Sequence, residues 1–180
     1  MVSPDDAYAV PGLDADEMLA LERYHRSIGR LSVAFDERPA VLHNRSLIGR
    51  LSGRPQPVET VMWGPLMDRD IAVAIECEQG REAVGAGAVE RFAEKLVDIA
   101  ADCGILYAVS GFTMSARLRA AGMRRPPVMV IALNRPGRTG DPVIPGQRRP
   151  EQEFLPPHDA EEVTEMDFLL FLWLRPGESP

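Results

Sequence analysis

Two cysteines, Cys77 and Cys103, are all that this 180-residue chain contains, and they fall into no zinc-binding spacing. So low a count rules out a disulfide framework and, with no apolar leader at the N-terminus, leads us to expect a reducing, cytoplasmic setting. Lysine is nearly missing as well: Lys95 is the sole example, and the remaining basic charge is arginine. Long apolar runs are absent. The longest, residues 168–174, falls far short of the roughly 20 residues that a membrane helix needs, so no membrane segment is expected. The chain also lacks a serine–histidine–acid arrangement and a GxxxxGK[ST] phosphate loop, which removes two common routes to hydrolysis.

What is present suits one globular domain. The hydrophobic fraction is 45%, enough for a full core at this length. The net charge of −7 is unevenly spread. Residues 1–22 hold six acids and no basic residue, and residues 151–180 hold eight acids against Arg175 alone. The body between them, residues 23–150, carries 19 basic and 13 acidic residues. A basic body between acidic ends is compatible with a polyanionic ligand, and equally with a solvated surface.

Periodicity divides the chain. Met18, Leu21, Tyr24, Ile28 and Leu31 recur at helical spacing, so residues 14–31 are expected to be helical, with Asp14 or Asp16 as cap. Short strands are expected at 40–43, 57–63 and 71–78, with an Arg- and Gly-rich loop through Arg54 and a hairpin connection at 64–70. Residues 84–102 read as a helix stopped by Gly104, 105–109 and 128–133 as buried strands, and 113–122 as a short helix. The order α-β-β-β-α-β-α-β predicts an α/β sandwich with a mixed central sheet flanked by helices, antiparallel first and then parallel. On this reading residues 1–13 are loose and 14–133 form the core. Residues 134–180 form a Pro/Arg-rich and then acidic extension that ends in an apolar block, 166–174, either an edge strand or a short helix.

The stretch IAVAIECE, residues 71–78, carries the strongest chemical signal. Side chains alternate along a strand, so Glu76 and Glu78 share a face while Cys77 points away as a small core residue. Two acids at the end of a buried strand are costly without a cation. A hard divalent ion such as Mg²⁺, which takes oxygen ligands and acts on phosphate esters, is the natural partner.

Five pieces, in this order and spacing, give the chain a resemblance to a known family: HNRSLIGRLSG (43–53), VETV (58–61), AIECE (74–78), VERF (89–92) and GILYAVSGFTMSA (104–116). From residue 41 to 133 the chain resembles the Mrr-like restriction endonucleases of the PD-(D/E)XK superfamily. The resemblance implies a restriction-endonuclease-like fold and a Mg²⁺- or Mn²⁺-dependent site that hydrolyses DNA phosphodiesters. It maps the family's Asp onto Glu59, its Glu onto Glu76 and its Lys onto Glu78, so these three are the expected catalytic and metal-holding residues. Glu59 keeps the charge of the family's Asp on a longer arm. Glu78 does not supply a positive charge, though it could ligate metal or act as general base. Lys95 or Arg91, on the following helix, are candidates for the missing cation, and the simpler role for both is an exposed helical pair with neighbouring acids.

The same reading makes His43, Asn44, Arg50, Arg54 and Arg81 candidate DNA contacts, the arginines doubling as compensation for a metal-free acid cluster. His43–Asn44 is no HNH site, because no second histidine follows at metal-ligand spacing. Ser110–Thr113 could meet a phosphate at a helix N-terminus, or simply form a turn and an N-cap. Arg135, Arg138, Arg148 and Arg149 could grip a DNA backbone, and the acids from Glu151 to Glu165 could fold back over a basic groove. The block at 166–174 must dock on its own core or on a second copy, which makes a homodimer a candidate state. Three functions therefore compete: a DNA endonuclease, a catalytically degenerate DNA-binding module, and a subunit recruiting a basic protein partner.

Overall fold

The computed structural model describes residues 14–134 and 159–173. Helix α1, Ala15–Val33, starts at Asp14. The Asp14 carboxylate accepts the Glu17 N–H at 2.9 Å, and the Glu17 carboxylate accepts the Asp14 N–H at 2.9 Å. This reciprocal box satisfies donors that a helix start leaves open, and it sets Asp16 and Glu17 at the positive end of the dipole. Strands β1 (Ala40–Ile48), β2 (Pro55–Leu66) and β3 (Arg69–Glu78) follow. After them come α2 (Ala86–Ile99), β4 (Cys103–Ala108), α3 (Met114–Gly122), β5 (Val128–Ala132) and α4 (Glu165–Trp173).

The strands form one sheet in chain order, β1-β2-β3-β4-β5. The first two pairings are antiparallel and the last two parallel, with α2 and α3 as the crossovers that parallel neighbours require. Alternation along β3 builds two cores. Ile71, Val73 and Ile75 pack on the face covered by α1 and α4, while Ala74 joins Val89, Phe92 and Leu96 of α2 on the other. β4 and β5 are buried along their whole length, as apolar strands covered on both faces must be. The architecture is the expected α/β sandwich, a mixed sheet flanked by helices.

Three expectations change. β1 does not stop at His43 but runs to Ile48, because β2 pairs with it as far as Pro55; the Arg/Gly loop shrinks to a turn at 49–54. Gly104 is not the stop of α2. The chain leaves that helix at Ala100, in the left-handed region at φ 56°, and Gly104 lies within β4. There a Cβ would fall 2.5 Å from Leu96 Cδ1 and 2.6 Å from Phe92 Cε1, so glycine is what lets α2 press onto the sheet. The hairpin connection expected at 64–70 narrows to residues 67–68, because β2 runs to Leu66 and β3 starts at Arg69. The terminal block takes the helical one of its two expected forms and buries Phe168, Phe171 and Leu172 against the chain's own core.

Arginines of α1 fasten that last segment. Arg23 donates to the Leu133 carbonyl at 2.8 Å and pairs with Glu161 at 2.7 Å. Arg30 donates to the carbonyls of Ala160 and Val163 at 3.1 and 2.8 Å. Asp159 bridges Ala132 of β5, at the sheet edge opposite β1, and α4 packs with α1 on the sheet face away from α2, not over the α2 side. Arg135, Arg138, Arg148, Arg149, Glu151 and Glu153 lie outside the described residues. No helix among the described residues is long and apolar enough to cross a membrane.

Candidate active site

A cleft of about 400 Å³ opens on the α2 side of the antiparallel half of the sheet. β1 lines it with Asn44, Arg45 and Ser46, β2 with Glu59 and its neighbours, β3 with Glu76 and α2 with Lys95. Glu76 points there because it lies two residues beyond Ala74, which is buried under α2. The last β2–β3 rung joins Thr60 to Ile75, and Glu59 and Glu76 each lie one residue beyond it on adjacent strands. Sheet pairing thus brings the two acids to one end of the cleft.

Lys95 lies one turn along α2 from Phe92, at the rim of the apolar face that holds the helix on the sheet. Its ammonium donates to Glu76 Oε1 at 2.6 Å and to the Pro57 carbonyl at 3.1 Å. Both partners of the ion pair are mostly buried, with side-chain exposures of 24% and 18%. The role expected for Lys95, an exposed pair along its own helix, is corrected: the lysine crosses to β3. Charge compensation therefore comes from Lys95 and not from the loop arginines.

Glu59 is placed by a different contact. Its Oε2 accepts the backbone N–H of Cys77 at 2.8 Å. Desolvation, and then the charges of Glu76 and Glu78, push the Glu59 carboxyl above its ordinary range against the opposing pull of that N–H and of Lys95. Glu78 is exposed at the end of β3 and does not line the cleft, although its charge reaches Glu59. The expected cage of three carboxylates is accordingly not assembled. Among the described residues no three His, Cys, Asp or Glu side chains come together as a metal-holding group. The reason is local: Lys95 holds Glu76, and the Cys77 amide holds Glu59.

Two carboxylates still fit a hard divalent ion, since Mg²⁺ is commonly bound through one or two carboxylates plus water and phosphate oxygens. The lining sets Glu59 and Glu76 against Lys95 and Arg45, and Glu59 also feels the charge of Glu78 from outside the cleft. Glu59 and Glu76 are the residues that would hold the ion.

The remaining expected contacts scatter. Asn44 lines the cleft with φ at 49°, a left-handed backbone that Asn tolerates. His43 instead turns to Thr60, Nδ1 lying 3.0 Å from Oγ1. Arg50 and Arg54 are exposed on the β1–β2 turn and Arg81 in the segment after β3, none of them lining the cleft. Cys77 packs toward the α1 core, and burial followed by the charges of Glu59 and Glu78 pushes its thiol to about 12, so it is no nucleophile. Thr113 caps α3 through Ala116 N–H at 3.2 Å, which supports the turn-and-cap account of Ser110–Thr113. Arg45 and Ser46 are cleft residues that the sequence reading missed, because β1 was expected to end at His43 and no strand face was assigned to them.

No protein-family model matches the chain, and no curated protein matches it. Two solved structures are similar. One, a protein of unknown function named AF1548, has 14% identity and a TM-score of 0.43 over 62% of this chain and 57% of that one. The other, the DNA modification-dependent restriction endonuclease AspBHI, has 16% identity and a TM-score of 0.40 over 66% and 33%. The chain spans little more than half the length of the first and a third of the second. Likeness at this level carries no functional inference.

Proposed function

We propose that this chain is a metal-dependent DNA endonuclease of the Mrr-like kind, hydrolysing phosphodiester bonds in the cleft between β1–β3 and α2. The observation that carries the reading is the 2.6 Å contact of Lys95 with Glu76 beside Glu59. It supplies from a helix the positive charge that Glu78 does not supply from the strand.

Mg²⁺ or Mn²⁺, when bound at Glu59 and Glu76, would supply a polarising charge for a phosphoryl oxygen. The chain's own residues do the rest. Lys95 holds an ammonium where negative charge accumulates on the phosphate, inside a partly desolvated cleft where it acts strongly. Glu59 takes the proton lost by the attacking water, and the sugar oxygen leaves with a proton from bulk water. Arg45 meets the neighbouring phosphate.

A second reading has one observation in its favour. The Lys95–Glu76 pair also neutralises Glu76 without any ion, as a module that binds DNA without cutting it would require. Plasmid nicking separates the two. Metal-dependent nicking should vanish in Glu76→Ala and fall about 10²–10³-fold in Lys95→Ala, the scale for removing one charge-stabilising donor. Nicking that survives Glu76→Ala overturns the site, and salt-sensitive binding without cleavage in either metal selects the second reading. Under the endonuclease reading the exposed Met166, Leu170 and Trp173 of α4 are where a second copy would meet the first to cut both strands. A monomer mass on DNA in light scattering removes that dimer.

A further inference from the structure

The turn joining β1 to β2 is held by one carboxylate. Asp98 of α2 accepts the N–H groups of Leu51 and Ser52 on Oδ1, both at 2.9 Å. On Oδ2 it accepts the Ser52 hydroxyl at 2.6 Å and the Gln56 amide at 2.7 Å. Arg50 N–H adds a bond of 2.6 Å to the Asp98 backbone carbonyl. No side chain fits at Gly49, where a Cβ would fall onto the Asp98 carboxylate. A turn so tied is rigid, and it keeps Leu51 77% exposed and Ile48 66% exposed, with Arg50 and Arg54 also facing water.

Charge identifies what such a tip meets. Residues 38–58 hold four arginines and one histidine and not a single acid, in a chain whose net charge is −7. They also contain no Phe, Tyr or Trp. Proteins that hold unpaired strands stack bases on aromatic rings, and this segment has none to offer. A two-stranded β-ribbon does fit the major groove of B-form DNA, whereas that of A-form RNA is too narrow for side chains to read. The tip is also close to the cleft: Asp98 and Lys95 are three residues apart on α2 and so share one side of it. Arg45, in the cleft, belongs to the same ribbon.

We propose that the β1–β2 ribbon is an arm for double-stranded B-form DNA. Arg50 and Arg54 take phosphates, Leu51 enters the major groove against base edges, and the backbone passes on to the cleft at Arg45. This deepens the endonuclease reading by naming the duplex as what reaches the cleft, while binding by the arm needs no cleavage.

Fluorescence anisotropy of the full chain with a short labelled duplex, in EDTA, tests it. The slope of log affinity against log salt should flatten by about 1.8 in the double variant Arg50→Gln/Arg54→Gln, at about 0.9 per phosphate contact. Leu51→Ser should weaken binding on the order of tenfold with its slope unchanged, the scale of lost apolar burial. Arg124→Gln, ahead of β5 at the far sheet edge, should behave as the parent. Circular dichroism establishes that each variant is folded. Absence of duplex binding, an unchanged slope in the double variant, or equal affinity for the single strand or for an RNA duplex overturns the arm. Duplex binding of the expected kind without nicking in Mg²⁺ or Mn²⁺ supports the arm and sinks the endonuclease. Nicking with an unchanged slope does the reverse.

Discussion

Four hydrogen bonds converge on the Asp98 carboxylate, and those from the Ser52 hydroxyl and then the Ser52 N–H do most to hold its carboxyl down, at about 2. The depressed value fixes the sign of a pH effect. The unfolded carboxyl titrates at 3.8, so the contribution of ionised Asp98 is complete above that pH and is lost as pH falls toward 2. Asp98→Asn removes it at every pH. Urea midpoints of parent and variant should therefore differ most at neutral pH and converge below pH 3. A gap independent of pH would mean that the turn is held by its backbone alone. Asp98 also shows what one residue hides in a sequence: it sits on a helix among apolar residues, and its partners lie more than 40 positions earlier.

At the scale of elements, the contact of α2 with β4 turns on Gly104. A methyl group there meets Leu96 and Phe92 head-on, so Gly104→Ala should destabilise by about 1–3 kcal/mol, the cost of overpacking a filled core. Urea unfolding should report it as a lower midpoint with unchanged slope. The α4 clamp is the second case. Arg30→Ala frees two carbonyls, Ala160 and Val163, and should cost about 1.5–3 kcal/mol, with faster hydrogen exchange confined to the 160–173 segment. Elements were legible where apolar spacing is strong: the apolar run 71–75, the face Val89, Phe92 and Leu96, and the wholly buried β5. β1 was legible only in its first half. Residues 43–46 are polar and exposed on both faces, and their strand conformation comes from pairing with β2 instead of from any pattern of their own.

For the whole molecule, the site was half legible for the same kind of reason. Glu76 could be read from alternation along β3, whereas Glu59 came only from the resemblance, and the β2–β3 register then sets the two side by side. The Lys95–Glu76 contact spans 19 positions and exists only once α2 lies across the sheet, and Glu78 leaves the cleft only because β3 ends there. The two carboxylates side by side in the cleft make stability itself a test for an ion. Mg²⁺ or Mn²⁺ binding to the folded chain alone should raise its melting temperature, by about 2.7 kcal/mol of stability at a hundredfold excess over the dissociation constant. For a chain of this size that is about 5–10 °C. In Glu76→Gln and Glu59→Gln the rise should disappear, since each loses one of the two cleft carboxylates. Glu78→Gln should keep most of it, because that side chain lies outside the cleft and contributes only its field at Glu59. Calorimetry with each cation reads all four proteins without any nucleic acid present. A parent that gains nothing from either cation would leave Lys95 as the permanent counter-ion of Glu76 and remove the metal-dependent reading, whereas a rise that survives Glu76→Gln would move the ion away from this cleft.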